Sequence, residues 1–344
     1  MAIEPGADMR RREFLRLVGG TAATWSSTWP STWPIAARAQ EAGQQRRIGV
    51  LTQGSVHAHP SPPFRAFLKT LQDAGWEEGR NLKIEWRFSE GKAEPLPGLA
   101  RELVQIPVEV IITAPTEPTL AAKRATSTIP VVFVQVADPV QSGIVTNLAR
   151  PDSNVTGMSA LAADISGKRL ALVKEALPNI RHMSVLWNKP SKGAVLIRDE
   201  LLAAARQLDI EIQDTGVNNV EEIEGALREA AAKLSTLVAV IDDPVMQGHM
   251  EAVVRIATSL RMPVVSQSAG YVRSGGFMSY GPDLNELYRR GAEYVNRILR
   301  GAKPSDLPVQ QPEKFSLILN LKTARAFGIE FPALLLARAD EVIE

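Results

Sequence analysis

The order of elements constrains this chain more than any single motif. Four short runs rich in β-branched residues, RRIGVLT, NLKIEWRF, VEVIITA and PVVFVQV, alternate with the helical patterns FRAFLKTLQDAG, which Gly75 ends, PLPGLARELVQ and TEPTLAAKRATS. That alternation predicts a parallel sheet with covering helices. The runs are apolar almost throughout, as strands are when both faces of a sheet are covered. The same grammar then starts again with HMSVLWN, IEIQDTG, TLVAVID and PVVSQSA, separated by helical patterns around 194–208, 220–234 and 246–260. A local echo supports two copies: ATSTIPVVF from Ala125 and ATSLRMPVVS from Ala257 each end a helix and enter a strand through proline, with Pro130 and Pro263 lying 133 residues apart.

The fold class is therefore α/β, two Rossmann-like (flavodoxin-like) lobes on parallel sheets, one before about residue 157 and one from there to about 278. PDSNVTGMS between them is rich in turn formers and carries a short Val-Thr segment that suits a crossing strand. An amphipathic helix over 284–299 is left over, with an apolar face to bury. FSLILNLKTARAFGI and PALLLARADEVIE add a further strand and helix.

The start of the chain reads as an address. RRREFLRLVGG from Arg10 leads into a mildly apolar segment, and Ala37-Arg38-Ala39 offers small residues at signal-peptidase spacing, so residues 1–39 are expected to be an export signal of the twin-arginine type. Glu4 and Asp8 sit oddly in such a region and point to Met9 as an alternative start. No stretch reaches the roughly 20 apolar residues that span a bilayer, and without cysteine there is neither a lipid anchor nor a disulfide. A periplasmic protein held together by core burial is expected. Removing residues 1–39 leaves 34 basic and 35 acidic residues. That balance argues against a nucleic-acid partner, which calls for a basic face.

In open parallel sheets ligands collect beyond the carboxyl ends of the strands where strand order reverses. In the first lobe those ends carry Thr52, Gln53 and Ser55, then Thr113, Thr116 and Glu117; in the second they carry Asn188 to Ser191 and Asp242 to Pro244, with Ser266 following the apolar PVV of the PVVSQSA run. Helix starts there offer free N–H groups to an anion, although helix capping is the commoner use of Ser, Thr and Asp at such positions. Asp138 and Asp243 each precede proline at a strand end and can hold an ammonium group. Asx-Pro also starts ordinary turns, so both readings stand at Asp138, and the ligand role is favoured at Asp243. Tyr271 and Tyr280 can stack on a planar ligand, whereas Trp187 ends an apolar strand and reads as core. No G-x-G-x-x-G follows a strand, and neither a phosphate loop nor a G-x-S-x-G elbow occurs. His57 and His59 lie in a Pro-rich loop with no third ligand at metal spacing. No cofactor, metal or catalytic set is expected.

IGVLTQG, ITAPTEPTLAAKRATSTIPVVFVQVADPVQSGIV, NVTGMS, GGFMSYGPD, RGAEYVNRILRGAKPSDLPVQQP and LILNLKTARAFGIEFPALLLARADEVI resemble the ABC-transporter substrate-binding family whose better-known members serve tryptophan and tyrosine uptake. The resemblance implies a type 1 periplasmic-binding protein, two lobes joined by three crossovers, with residues 46–157 plus 279–314 in lobe one and 158–278 plus 315–344 in lobe two. It also implies ligand contacts from Thr113, Thr116, Asp138, Ser159, Asn188 and Asp243. The chain departs from the family at Asp242-Asp243, where Asp-Asn is usual, and in a longer first-strand loop, so the resemblance does not specify an aromatic amino acid.

The expectation is a monomeric solute carrier that takes up a small organic molecule, an amino acid or an aromatic or carboxylate compound, and delivers it to an ABC permease in the inner membrane. A sensory subunit reading the same closure, and a two-lobed periplasmic enzyme, are the alternatives. A repressor is disfavoured because an export signal stands where a DNA-reading helix pair would be.

Overall fold

The computed structural model describes residues 45–151, 153–161 and 165–344; the expected export signal lies outside the described residues. The first half folds as β1 (Arg46–Thr52), α1 (Pro62–Asp73), β2 (Leu82–Phe88), α2 (Leu96–Gln105), β3 (Val110–Ala114), α3 (Thr116–Ala125), β4 (Val131–Val136) and β5 (Val155–Ser159). Its five strands pair in the order β2-β1-β3-β4-β5, all parallel. Every residue of β3 and β5 is buried, which is why these runs lack polar alternation.

The second half continues with α4 (Ser166–Ala176), β6 (His182–Asn188), α5 (Lys192–Gln207), β7 (Glu211–Val217), α6 (Ile223–Ala232), β8 (Val238–Val240), α7 (Pro244–Gly248), α8 (Met250–Ser259), β9 (Val264–Ser266), α9 (Ala269–Arg273) and β10 (Met278–Pro282). After it come α10 (Leu284–Leu299), β11 (Phe315–Asn320), α11 (Leu321–Ala326), α12 (Ala333–Ala337) and β12 (Glu341–Ile343). The second sheet runs β12-β11-β10-β9-β8-β6-β7, with β10 and β11 antiparallel and its other pairs parallel. In both sheets the second strand lies outside the first and the third on its other side. Each sheet therefore has one switch point, between β1 and β3 and between β6 and β8.

The chain passes between the sheets three times. β5 belongs to the first sheet and leads into α4, β10 belongs to the second and leads into α10, and Gln310 precedes β11. The boundaries expected near 157 and 278 thus fall inside β5 and β10. The first and third passages are tied together: Gln310 donates its N–H to Gly157 O at 3.0 Å, Ser159 N–H donates to Gln310 O at 2.8 Å, and Thr156 Oγ1 donates to Leu307 O at 2.6 Å.

The leftover helix finds its surface on the first sheet. α10 buries Leu287, Tyr288, Gly291, Ala292, Tyr294, Val295, Ile298 and Leu299 against α1 and the strands β3 to β5. A Cβ on Gly291 would stand 2.5 Å from Val134 Cγ1, so glycine sets the helix-to-sheet distance. The Trp76 indole N–H reaches Asn296 Oδ1 at 2.9 Å and fixes the helix to the end of α1. The tail holds two strands and two short helices, one of each more than the hydrophobic pattern suggested, because β12 is only three residues long and its alternation is too brief to register.

Among the described residues no helix is long and apolar enough to cross a membrane. At the second passage a Cβ on Gly281 would lie 2.0 Å from the carbonyl oxygen of Gln267. The Gly281→Ala variant should therefore lose about 1–3 kcal/mol of stability from overpacking, measured by urea denaturation; an unchanged midpoint and slope would show that β10 can move aside.

Candidate functional site

The two switch points close on each other. Glu117 stands in the first turn of α3 and is buried, and its Oε1 accepts the N–H of Lys192 at 2.6 Å and, at 3.4 Å, that of Gly193, both in the first turn of α5. The first N–H groups of a helix have no partner within it and carry the positive end of its dipole, so a carboxylate from the opposite lobe is held there. The approach is close because residue 193 is glycine: a Cβ would meet Thr116 Oγ1 at 3.1 Å and Ala137 Cβ at 3.6 Å. On the other flank Gly91 faces Val245, whose Cγ2 would lie 3.5 Å from a Cβ at that position.

Many of the candidate side chains are engaged within the fold. Thr113 and Thr119 share a hydrogen bond of 2.8 Å through their hydroxyls. Thr52 Oγ1 accepts from Gly54 N–H and Ser55 Oγ from His57 N–H, while Thr116 Oγ1 lies 3.5 Å from Ala137 N. Asp138 holds its own turn, accepting Val140 N–H and Gln141 N–H at 2.9 Å each. Ser159 Oγ accepts Leu161 N–H, and Ser266 Oγ donates to Val240 O. Asp243 is the N-cap of α7: Oδ1 accepts Met246 N–H at 2.9 Å and Oδ2 accepts Asn188 Nδ2 at 2.6 Å. Tyr271 is wholly buried in the lobe-two core with its hydroxyl on Met246 O. Tyr280 stacks on Phe315 with ring centroids 5.9 Å apart, and Lys168 lies over its ring. His59 packs on Trp86, with centroids 3.8 Å apart.

Four side-chain atoms at or beside the switch points are buried without a partner among the described residues: Gln53 Oε1, Arg169 Nη2, Asp242 Oδ1 and Gln267 Oε1. Ser142 Oγ and Gln310 Oε1, after β4 and on the third passage, share that condition. Buried polar groups ordinarily find partners, so each such atom calls for an explanation. Of the first four, Gln53 and Asp242 stood among the polar strand ends read from the sequence, and Arg169 and Gln267 did not. Gln53 Nε2 donates to Gly91 O at 3.3 Å, leaving the carbonyl oxygen free. Arg169, in the first turn of α4, donates Nε–H to Tyr280 O at 3.0 Å. Asp242 accepts Gln247 Nε2 on Oδ2 at 2.9 Å, and Gln267 Nε2 reaches Asp242 O at 3.4 Å.

The electrostatics follow from burial. Loss of water pushes the Asp242 carboxyl up to about 7; nearby Asp243 adds to the rise, and the Gln247 and Ser268 hydrogen bonds with the charge of Arg169 oppose it. Burial also raises Asp243, to about 6, against its hydrogen bonds from Met246 N–H and Asn188. Arg169 is lowered by burial to about 10 and stays charged at neutral pH. These titrations fix a pH dependence. In the unfolded chain Asp242 ionises near 3.8, in the folded chain near 7, so folding is favoured while the group stays protonated and is penalised as pH rises through 7. The full penalty is on the order of 4 kcal/mol at about 1.4 kcal/mol per pKa unit. Asp242→Asn should therefore be more stable than the parent at pH 8 and no more stable at pH 4, by thermal unfolding at both; an equal change at the two values would mean that Asp242 ionises alike in the folded and unfolded chain.

A sequence profile of the family described as ABC transporter substrate binding protein matches residues 59–343. The chain is 27% identical over 290 residues to a tyrosine-binding protein of Clostridioides difficile, covering 83% of this chain and 82% of that one. A solved conserved domain protein of Vibrio cholerae shares 28% identity with a TM-score of 0.82, covering 87% of this chain and all of the other. The ABC domain of Streptococcus pneumoniae in complex with L-Trp shares 24% identity, a TM-score of 0.78 and the same coverage. With type 1 periplasmic-binding architecture in both lobes and a profile match across nearly all of the described residues, the chain belongs to the ABC transporter substrate-binding protein family.

Proposed function

We propose that the protein captures a small organic solute, an amino acid or a related aromatic or carboxylate compound, between its lobes in the periplasm and hands it unchanged to the permease of an ABC uptake transporter. One observation carries the reading: two switch points, one per lobe, meet across Glu117 and the start of α5 with buried polar atoms that the fold leaves unpaired. The groups here are suited to holding a molecule by charge and hydrogen bonds. The tyrosine-binding relative supports an amino-acid-like solute.

Closure sets how such a protein signals occupancy. Each lobe alone offers a polar, hydrated face; together they exclude water, and the same contacts act in a lower dielectric. A solute favours the closed form only by its differential affinity for it. The Glu117 bridge favours that form even without solute, since it links the lobes directly.

Two measurements test this. A thermal-shift screen over amino acids, aromatic acids and other carboxylates should yield at least one stabilising compound that reduces the radius of gyration in solution scattering, with the compound recovered chemically intact. A folded protein that no compound stabilises, or a compound that is turned over, contradicts the proposal. Glu117→Ala should open the solute-free protein, giving a larger radius of gyration and about 10-fold weaker solute binding, consistent with loss of a charge-assisted hydrogen bond of roughly 1.5–3 kcal/mol; scattering identical to the parent would show that the bridge does not bias closure.

A further inference from the structure

Among the described residues Arg169 is the only cationic side chain that is buried, at 4% exposed. It stands in the first turn of α4, directly after the first passage between the lobes, where a helical side chain leans toward the N-terminal end. The guanidinium is held in place: Nε–H donates to the Tyr280 carbonyl in β10 at 3.0 Å, and because the group is planar that bond also sets the direction of Nη2. Nη2 is buried and has no partner. Asp242 is near enough for its charge to act on Arg169. Its Oδ1 is nevertheless unpaired as well, so the two groups are not bonded to each other, and Oδ2 is engaged with Gln247.

The other buried charges in the site are met by the fold. Glu117 lies on the start of α5, and Asp243 on the start of α7 and on Asn188. A guanidinium taken out of water costs several kcal/mol unless an anion and hydrogen bonds meet it. A neutral carbonyl offers Nη2 a hydrogen bond but no charge, whereas an acidic group offers both, in a bond roughly twice as strong. Exposed Lys168 is no substitute, since water screens its charge. The start of α3 is the competing place for an acid, because it has no side-chain cap. Its first turn already holds the Glu117 carboxylate, however, and lacks one N–H at Pro118.

Building on the solute-carrier reading, we infer that Arg169 is a specificity-determining residue of the site: the solute carries an acidic group, and that group binds the guanidinium of Arg169 through Nη2. The inference concerns the acid alone and holds alike for a zwitterion and for a simple carboxylate. Masking the acid as an amide removes the charge while changing the solute's size little, so discrimination between the two is the property that Arg169 supplies.

Isothermal calorimetry at pH 7 on the purified protein, stripped of bound solute by dialysis, tests this with L-tyrosine, L-tryptophan, L-leucine and benzoate, each against its primary amide. At least one acid should bind about 10- to 100-fold more tightly than its amide, the range expected of a hydrogen bond to a charged group. Arg169→Gln removes the charge and should abolish most of that preference. Arg169→Lys keeps the charge without the planar fork and should lower the preference in part; it serves as the test if the glutamine variant does not fold. An arginine with a structural role alone would, when replaced, weaken acid and amide together and leave their ratio as it was. An unchanged ratio in a variant that circular dichroism shows to be folded therefore overturns the assignment and moves the acid to the start of α3. Amides that bind as tightly as their acids overturn it too, as does a folded parent that binds none of the acids. The solute-carrier reading survives each of these results, and the broader thermal-shift screen decides it separately.

Discussion

A charge removed from water must be met by another charge or by hydrogen bonds, and that requirement organises this molecule. Arg169 and Asp242 are buried, near one another, and each has an atom that the fold leaves unpaired. Elsewhere in the interior the same requirement is met locally: Asp243 by the start of α7 and Asn188, Thr113 by Thr119, Glu117 by the start of α5. On the proposed reading, the contrast separates groups that build the site from groups left to receive a solute. Burying an ion without a full set of partners costs several kcal/mol. Such groups persist where the surrounding structure holds them in place for another purpose.

What holds them is topology. Each sheet brings its first and third strands side by side, so the ends of β1 and β3 and of β6 and β8 form two polar edges. Three passages of backbone, two of them hydrogen-bonded to each other around Gly157, Ser159 and Gln310, join the lobes at one side. Elsewhere the lobes meet by side chain to helix end, Glu117 to α5. A solute that supplied partners for the unpaired atoms would add to this contact, and occupancy would be read as closure.

Much of the architecture was legible in the sequence because the central strands, covered on both faces, leave a strong signal, short continuous apolar runs between helical patterns, while the edge strands β2 and β7 are more polar. Even the stray helix α10 could be anticipated as needing a surface, although which sheet it covers depends on pairing across more than a hundred residues. The boundaries near 157 and 278 fell inside β5 and β10, the strands that lead into the first two passages, and the turn formers Gly281 and Pro282 mark only the end of β10. The site was harder. Asp243 drew attention by its place before Pro244, yet a residue before a proline at the first helical position is the capping position, and that is its observed role; the neighbour Asp242 was the one left free. Arg169 had a signal that composition hides: with Val173 and Ala176 it lies at i, i+4 and i+7, on the buried stripe of α4. A charged residue on an apolar stripe is costly enough to imply a partner. Gln267 could not be found this way, because nothing in SQSA distinguishes a glutamine that faces the site from one that faces solvent.

The central claim is that the buried, unpaired groups between the lobes exist to hold a solute that leaves as it came. Native mass spectrometry of the protein purified under mild conditions, followed by identification of small molecules released on denaturation, tests it most directly. The account predicts a one-to-one complex whose released component is an acid-bearing solute identical to a compound of the growth medium or the cell. A released molecule that is a product of bond cleavage or transfer, or a stoichiometric complex with a compound that has no acidic group, would contradict it.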